Sequence, residues 1–480
     1  MTRVHPARSC AAGLVGLVLL AGCTGSSHDA TPAEVDYRPG ADGLGDPYYP
    51  LDGNGGYDVE SYALDLRYDP GTDVLTGTAT IRATATQPLS SFDLDLQGLQ
   101  VSSLSVDDAD ADYSRTDHEL VVAPADPLDD GADFTTVVAY SGVPETLDGD
   151  LGVQGFIPTD DGALAVGQPE GAATWFPVNG HPRDAARVAV TATVPAGLEA
   201  ISNGALLGSD TADGWTTWRW SAEQPMASYL VTLAIGQFDI TESQADGISY
   251  LDAIDAGLAP DGTVAANAAA AFDRHPEILG FLADLFGPYP FDVAGGIVDD
   301  LRLGFALETQ TRPVYSTVFF TDPASSASVV VHELAHQWCG DDVRLDAWRY
   351  IWLNEGFATY AEWEWAEHEG RQTVADQFAR RARVGADDHF WSVAIGDPGS
   401  DQGTLFDQAV YQRGAMTLVA LRNRLGDDVF ADLLHRWFAT ESGKAVTTDD
   451  FVALAEQVSG QDLGDFFAEW LGSGKPPSLG

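Results

Sequence analysis

Lysine is almost missing from this sequence of 480 residues, occurring only as Lys444 and Lys475. Arginine does little to restore the balance: Lys and Arg together number 24 against 73 Asp and Glu, a formal charge of −49. A surface so poor in cations repels a phosphate backbone, which argues against nucleic acid as a partner. The acids read as a solvated, aggregation-resistant surface able to steer cationic substrates inward. Cysteine is scarce too, with three residues. Cys10 and Cys23 lie near the N-terminus and Cys339 stands alone, so no intrachain disulfide is expected. Cys339 reads as a small packed residue. The apolar run AAGLVGLVLL, residues 11–20, is too short for a comfortable membrane span. No internal repeat is visible.

What is present begins with an export pattern. Arg3 and Arg8 precede the apolar run, and Ala21-Gly22-Cys23 comes after it. Leu20-Ala21-Gly22-Cys23 resembles the bacterial lipobox, which implies removal of residues 1–22 and lipidation of Cys23. The expected location is the outer face of the bacterial cell membrane, held by that lipid alone, with plain secretion as the alternative. Residues 23–50 are rich in Gly, Pro, Ser and Asp without apolar periodicity and read as a tether. Asp52-Gly53-Asn54-Gly55-Gly56 invites a calcium-loop reading, but residue 63 is Ala where such a loop needs Glu, so a turn is expected.

From about residue 57 the period is two. Tyr62, Leu64, Leu66 and Tyr68 alternate with Ala63, Asp65 and Arg67, and RVAVTATV (187–194), WTTWRW (215–220) and SYLVTLAIGQF (228–238) read as further strands. After residue 260 the period becomes helical, with a break near Pro276. An all-β half succeeded by a mostly helical half predicts an α+β protein: an antiparallel sandwich or saddle-like β domain over residues 51–245, then a second domain over 246–480.

The stretch VVVHELAHQWCG (329–340) carries the chemistry. Asp322-Pro323 opens a helix and Gly340 is placed to stop it. His332 and His336, four apart, share one helical face and can hold one zinc, with Glu333 placed to take a proton from water at the metal. Catalytic zinc sites usually have three protein ligands. Glu355, nineteen residues after His336 in WLNEGFATYAEWEWAEHE (352–369), supplies the third if a second helix folds back across the histidine face, with Trp352, Gly356 and Ala358 permitting close packing. Glu362, seven residues further and on nearly the same face, is a candidate to orient a ligand imidazole.

HELAHQW with WLNEGFATY at this spacing resembles the gluzincin metallopeptidases and, within them, the M1 aminopeptidase family. Gly304-Phe305-Ala306-Leu307-Glu308 resembles that family's G-x-M-E-N strand, with Leu307 for Met and Thr309 for Asn. Gln168-Pro169-Glu170 resembles its Q-x-E segment, and Tyr411 in Val410-Tyr411-Gln412-Arg413-Gly414 matches its catalytic-tyrosine segment. The resemblance implies a thermolysin-like catalytic domain and one Zn2+ per chain. It implies that Tyr411 stabilises an oxyanion, and that Glu308, in the segment opened by Gly304, together with Glu170 and Gln168 of the β domain, holds the free α-ammonium of a peptide substrate. The implied activity is zinc-dependent removal of N-terminal residues. A zinc endopeptidase with an open cleft, or an inactive surface scaffold, remains the alternative, because the sequence leaves no room for the large helical C-terminal domain of longer family members.

Overall fold

The computed structural model describes residues 35–472, apart from 117, 150–151 and 260–261, together with 477. The export signal and Cys23 lie outside the described residues.

Alternation of apolar and polar side chains does what the sequence requires of it. Along Tyr57–Asp69 the residues Tyr62, Leu64, Leu66 and Tyr68 are buried while Ala63, Asp65 and Arg67 face outward. This strand sits inside an eight-stranded sheet whose order runs 205–212, 215–227, 185–195, 57–69, 74–85, 133–142, 100–106 and 109–110. The sheet is antiparallel except where Ala185–Pro195 runs parallel to Tyr57–Asp69. A five-stranded sheet (146–149, 152–158, 163–166, 233–236, 199–202) and a four-stranded one (38–39, 89–95, 119–123, 112–116) complete the β part.

The segment 228–238 is not one strand. Ser228–Leu230 forms a 3-10 turn, Leu233–Gly236 stays in the five-stranded sheet, and Phe238–Ala245 pairs with Ile248–Asp255 in a different, four-stranded sheet with Val293–Asp299 and Val314–Ser316. The exchange of sheets therefore falls at Gln237. From Thr263 onward helices predominate. The break foreseen near Pro276 separates Thr263–Phe272 from His275–Phe286, with Pro276 in the first turn of the second helix. Among the described residues no helix is long and apolar enough to cross a membrane.

Part of the stretch read as a tether is built into the fold. Arg38–Pro39 pairs with the strand Leu89–Asp95, and the buried carboxylate of Asp46 accepts from the Trp348 backbone N–H at 2.9 Å and meets His181 Nε2 at 3.1 Å. A buried acid with an imidazole and backbone N–H groups as partners is an anchor, which composition alone does not reveal.

Candidate active site

The HExxH helix runs from Pro323 to Ala335. Asp322 caps it, accepting from Ala324 N at 3.0 Å and Ser325 N at 3.1 Å. It stops earlier than Gly340: His336 occupies the C-terminal cap, and Gly340 closes the next turn at a φ of 135°. That early stop matters, because the turn aims the Cys339 carbonyl back at His336, whose Nδ1 donates to it at 2.9 Å. His332 Nδ1 is held by Glu362 Oε1 at 2.7 Å, and Glu362 in turn accepts from Ser328 Oγ at 2.6 Å. Both imidazoles thus commit Nδ1 to a partner and turn Nε2 inward.

The two Nε2 atoms lie 3.1 Å apart, and Glu355 Oε2 lies 3.2 Å from one and 3.5 Å from the other. Two imidazole nitrogens do not approach this closely for each other's sake. Three donors converging on one point, each orientated from behind, fit a single zinc. The charge distribution agrees. Burial opposes charge on His332, yet its hydrogen bonds to Glu355 and Glu362 push it up to about 10. Burial would raise the Glu355 carboxyl, but His336 and His332 outweigh it and hold it down at about 2. The carboxylates around the imidazoles favour positive charge at this point, which is the charge a metal held by neutral imidazoles would supply.

Glu355 sits in the first turn of the helix Trp352–His368. Gly356, expected to pack this helix against the histidines, faces the helix Gln408–Leu425 instead. A Cβ on Gly356 would stand 2.8 Å from the Gly414 Cα, and one on Gly414 would stand 2.6 Å from the Gly356 Cα. This glycine contact sets the Tyr411 helix against the Glu355 helix and lays the Tyr411 ring over His332, with centroids 5.9 Å apart and planes 19° from parallel. The Tyr411 hydroxyl reaches Glu355, and burial holds its proton firmly.

A cleft of about 530 Å³ opens over these groups. Its lining includes Gln168, Gly304, Glu308, His332, Glu333, His336, Glu355, Glu362 and Tyr411. Burial pushes the Glu333 carboxyl up to about 8, against the pull of His332 and His336. Across the cleft, Glu308 accepts from Gln168 Nε2 at 3.1 Å and from the Tyr229 hydroxyl at 3.2 Å, both on Oε1. Burial raises the Glu308 carboxyl, and His336 pulls the other way.

Glu170 is the exception among the expected residues. It does not line the cleft; its side chain borders a second, smaller cavity beside Asp52. Two residues that the sequence did not mark belong to the site. Tyr229 sits in the 3-10 turn that breaks the strand reading of its segment. Gln337 bridges the two halves of the cleft, donating from Nε2 to the Glu308 carbonyl at 3.1 Å and accepting from Thr311 N at 2.6 Å. Its position beside His336 was the available signal. Thr309, which replaces the expected Asn, donates to the Arg312 carbonyl at 2.6 Å and so closes the turn after Glu308.

The Peptidase family M1 domain matches residues 313–470, and the Peptidase M1 N-terminal domain matches residues 58–230. Aminopeptidase M1-D of Oryza sativa subsp. japonica is 25% identical over 87% of this chain and 50% of its own length. Human aminopeptidase N is 31% identical over 55% of this chain and 30% of its own. The chain thus spans about half or less of these curated relatives. A crystal structure of a mutant M1 zinc metallopeptidase from Deinococcus radiodurans, bound to the substrate Tyr-Ser-Ala, superposes with a TM-score of 0.81 at 30% identity. That match covers 91% of this chain and 99% of the other. A two-domain M1 zinc metallopeptidase mutant bound to L-arginine matches with a TM-score of 0.80 at 29% identity. With both domains matched in order and the histidine–glutamate triad in place, this chain belongs to the M1 peptidase family.

Proposed function

We propose that this protein is a zinc-dependent aminopeptidase that releases the N-terminal residue of peptides. The observation that carries the reading is the pairing, within one cleft, of the His332–His336–Glu355 triad with a buried carboxylate, Glu308, oriented by two neutral donors. A zinc ion held by the triad supplies Lewis-acid polarisation of the scissile carbonyl and lowers the pKa of water towards neutrality.

The chain's own groups do the rest. Glu333, buried and drawn upward in pKa, is suited to take a proton from the attacking water and pass it to the leaving amine. Tyr411, which keeps its proton, donates a hydrogen bond to the developing oxyanion. Among the described residues Glu308 has no cationic side chain in hydrogen-bond contact; its side-chain donors, Gln168 and Tyr229, are neutral. An α-ammonium is the cation such a carboxylate lacks, and holding it places the first peptide bond over the triad. Glu170, facing away, has no part in this reading.

Residues 1–23 support export and a lipid anchor at Cys23, which would place the enzyme on the outer face of a bacterial membrane. Matched fluorogenic peptides, one with a free N-terminus and one acetylated, test the activity with and without a chelator. Chelator-sensitive cleavage of the free form alone is expected. Equal cleavage of the acetylated form would make the enzyme an endopeptidase, and would remove Glu308 from substrate binding.

A further inference from the structure

We propose a second metal site in the β part of the molecule, in which Asp95, His118 and Glu119 bind a divalent cation of the zinc or manganese kind, with Asp52 and Glu170 beside it. The inference does not depend on the chemistry of the main cleft.

Asp95 ends the strand Leu89–Asp95 and stands directly opposite Glu119, the first residue of Glu119–Ala123. Two acids facing each other in register repel, and here only 3% and 5% of their surfaces remain exposed. A carboxylate oxygen of each and a ring nitrogen of His118 all lie within 4.8 Å of one another. The His118 backbone is fixed to the same strand pair, its carbonyl accepting from Leu96 N at 2.7 Å.

Donors hold one carboxylate of the cluster in place and leave another without any. Asp95 is held from behind, Oδ2 by Gly180 N at 2.7 Å and Oδ1 by Asn54 Nδ2 at 3.2 Å. A Cβ at residue 180 would stand 2.7 Å from Asp95 Oδ2, so the glycine lets that carboxylate sit against the backbone. Neither carboxylate oxygen of Glu119 has a hydrogen-bond partner, although Oε1 lies 3.3 Å from His118 Nε2. Asp52 Oδ2 is buried without a donor, while the Asp52 side chain is in hydrogen-bond contact with Glu170. Buried carboxylate oxygens without donors carry a large desolvation penalty, which a cation at their meeting point removes.

A ligand set of one imidazole and two carboxylates suits zinc or manganese better than calcium. Asp95 and His118 border a cavity of about 300 Å³, lined also by Asp52 and Glu170, with Glu119 buried behind them. Gln154 and Pro169 line both this cavity and the main cleft, so the second site backs the turn that carries Gln168. The Asp52–Gly56 turn, too short in acids to be a calcium loop, contributes Asp52 and Asn54 to this cluster instead.

The test is metal content of the full chain, stripped with chelator, reloaded separately with zinc, manganese or calcium, and desalted. Wild type should hold about two equivalents of zinc or manganese, and Glu355→Ala, Glu119→Gln and Asp95→Asn about one each. In the Glu355→Ala background, added metal should raise the melting temperature, and Glu119→Gln should abolish that rise. Glu119→Gln removes a buried like charge, so metal-free it should melt no lower than metal-free wild type. That control separates a lost ligand from a lost fold. One equivalent in wild type with every metal, or two retained in both Glu119→Gln and Asp95→Asn, overturns the proposal. Loading by calcium alone overturns it as well, because it removes the imidazole from the ligand set.

Discussion

Gln337→Met is the perturbation that asks most of the site's architecture. Gln337 is fully buried and makes two bonds, to the Glu308 carbonyl at 3.1 Å and from Thr311 N at 2.6 Å. Thr311 sits at a φ of +68°, a conformation costly for a β-branched residue and tolerated only when its surroundings impose it. Met matches Gln in length, so no large cavity opens, but it offers neither donor nor acceptor. Two backbone groups lose their partners at about 1–3 kcal/mol each, or about 2–6 kcal/mol if nothing moves. The segment has an alternative: Thr311 can relax its backbone, and Glu308 then shifts with it. The expected result is a loss of stability at the low end of that range, with kcat/KM for free N-terminal peptides down by about 10–100-fold, as for a displacement near 1 Å. Zinc content should stay at one equivalent in the main site, since His336 keeps its Cys339 carbonyl partner. Urea unfolding, metal analysis and steady-state kinetics measure the three quantities. A variant that loses the full stability yet keeps wild-type kcat/KM would show that Gln337 only fastens the fold and does not position Glu308.

Three further perturbations separate the groups of the cleft. Glu333→Gln should retain metal and melting temperature but lose about 10²–10⁴-fold in kcat, the range for a general base; wild-type turnover would remove Glu333 from the mechanism. Glu362→Ala takes the partner from His332 Nδ1 and should weaken zinc about 10–100-fold in a chelator competition, with unchanged affinity refuting its orienting role. Gly414→Ala forces a Cβ to 2.6 Å from the Gly356 Cα, so it should cost about 1–3 kcal/mol by overpacking. The same change should lower kcat by tilting Tyr411 off His332, and a stable, fully active variant would show that the two helices do not depend on this contact.

How much of the site was legible in the sequence depends on how far along the chain each inference had to reach. The HExxH spacing is a property of one helix, so His332, His336 and Glu333 needed no tertiary information. Glu362 was readable because it lies two turns from Glu355 on a helix already inferred. Local shape defeated the rest. Gln168 and Glu170, two apart, would share a face in a strand. Glu170 instead precedes the 3-10 turn Gly171–Thr174 with φ −117° and ψ 0°, so the period of two ends there and the carboxylate leaves the cleft. Tyr229 was hidden for the same reason, because its turn interrupts what reads as one long strand. The role of Gly356 needed knowledge of Gly414, more than fifty residues away, and no pattern in either helix records the partner.

Charge, the most conspicuous property of the sequence, carries information only after burial has sorted it. Most of the acids are solvated and specify nothing about the chemistry. Those that are buried have to be accounted for singly, since each is costly without a partner. Asp46 meets His181, and Asp252 meets His275 at 3.0 Å. Glu355 meets the two cleft histidines. Among the described residues Glu308 has only neutral side-chain donors, and Glu119 has no hydrogen bond on either oxygen, with His118 Nε2 at 3.3 Å. The first faces a cleft wide enough for a peptide and the second faces another acid across a strand pair, so the same deficit points to different cations: a substrate's ammonium in one place, a bound metal in the other.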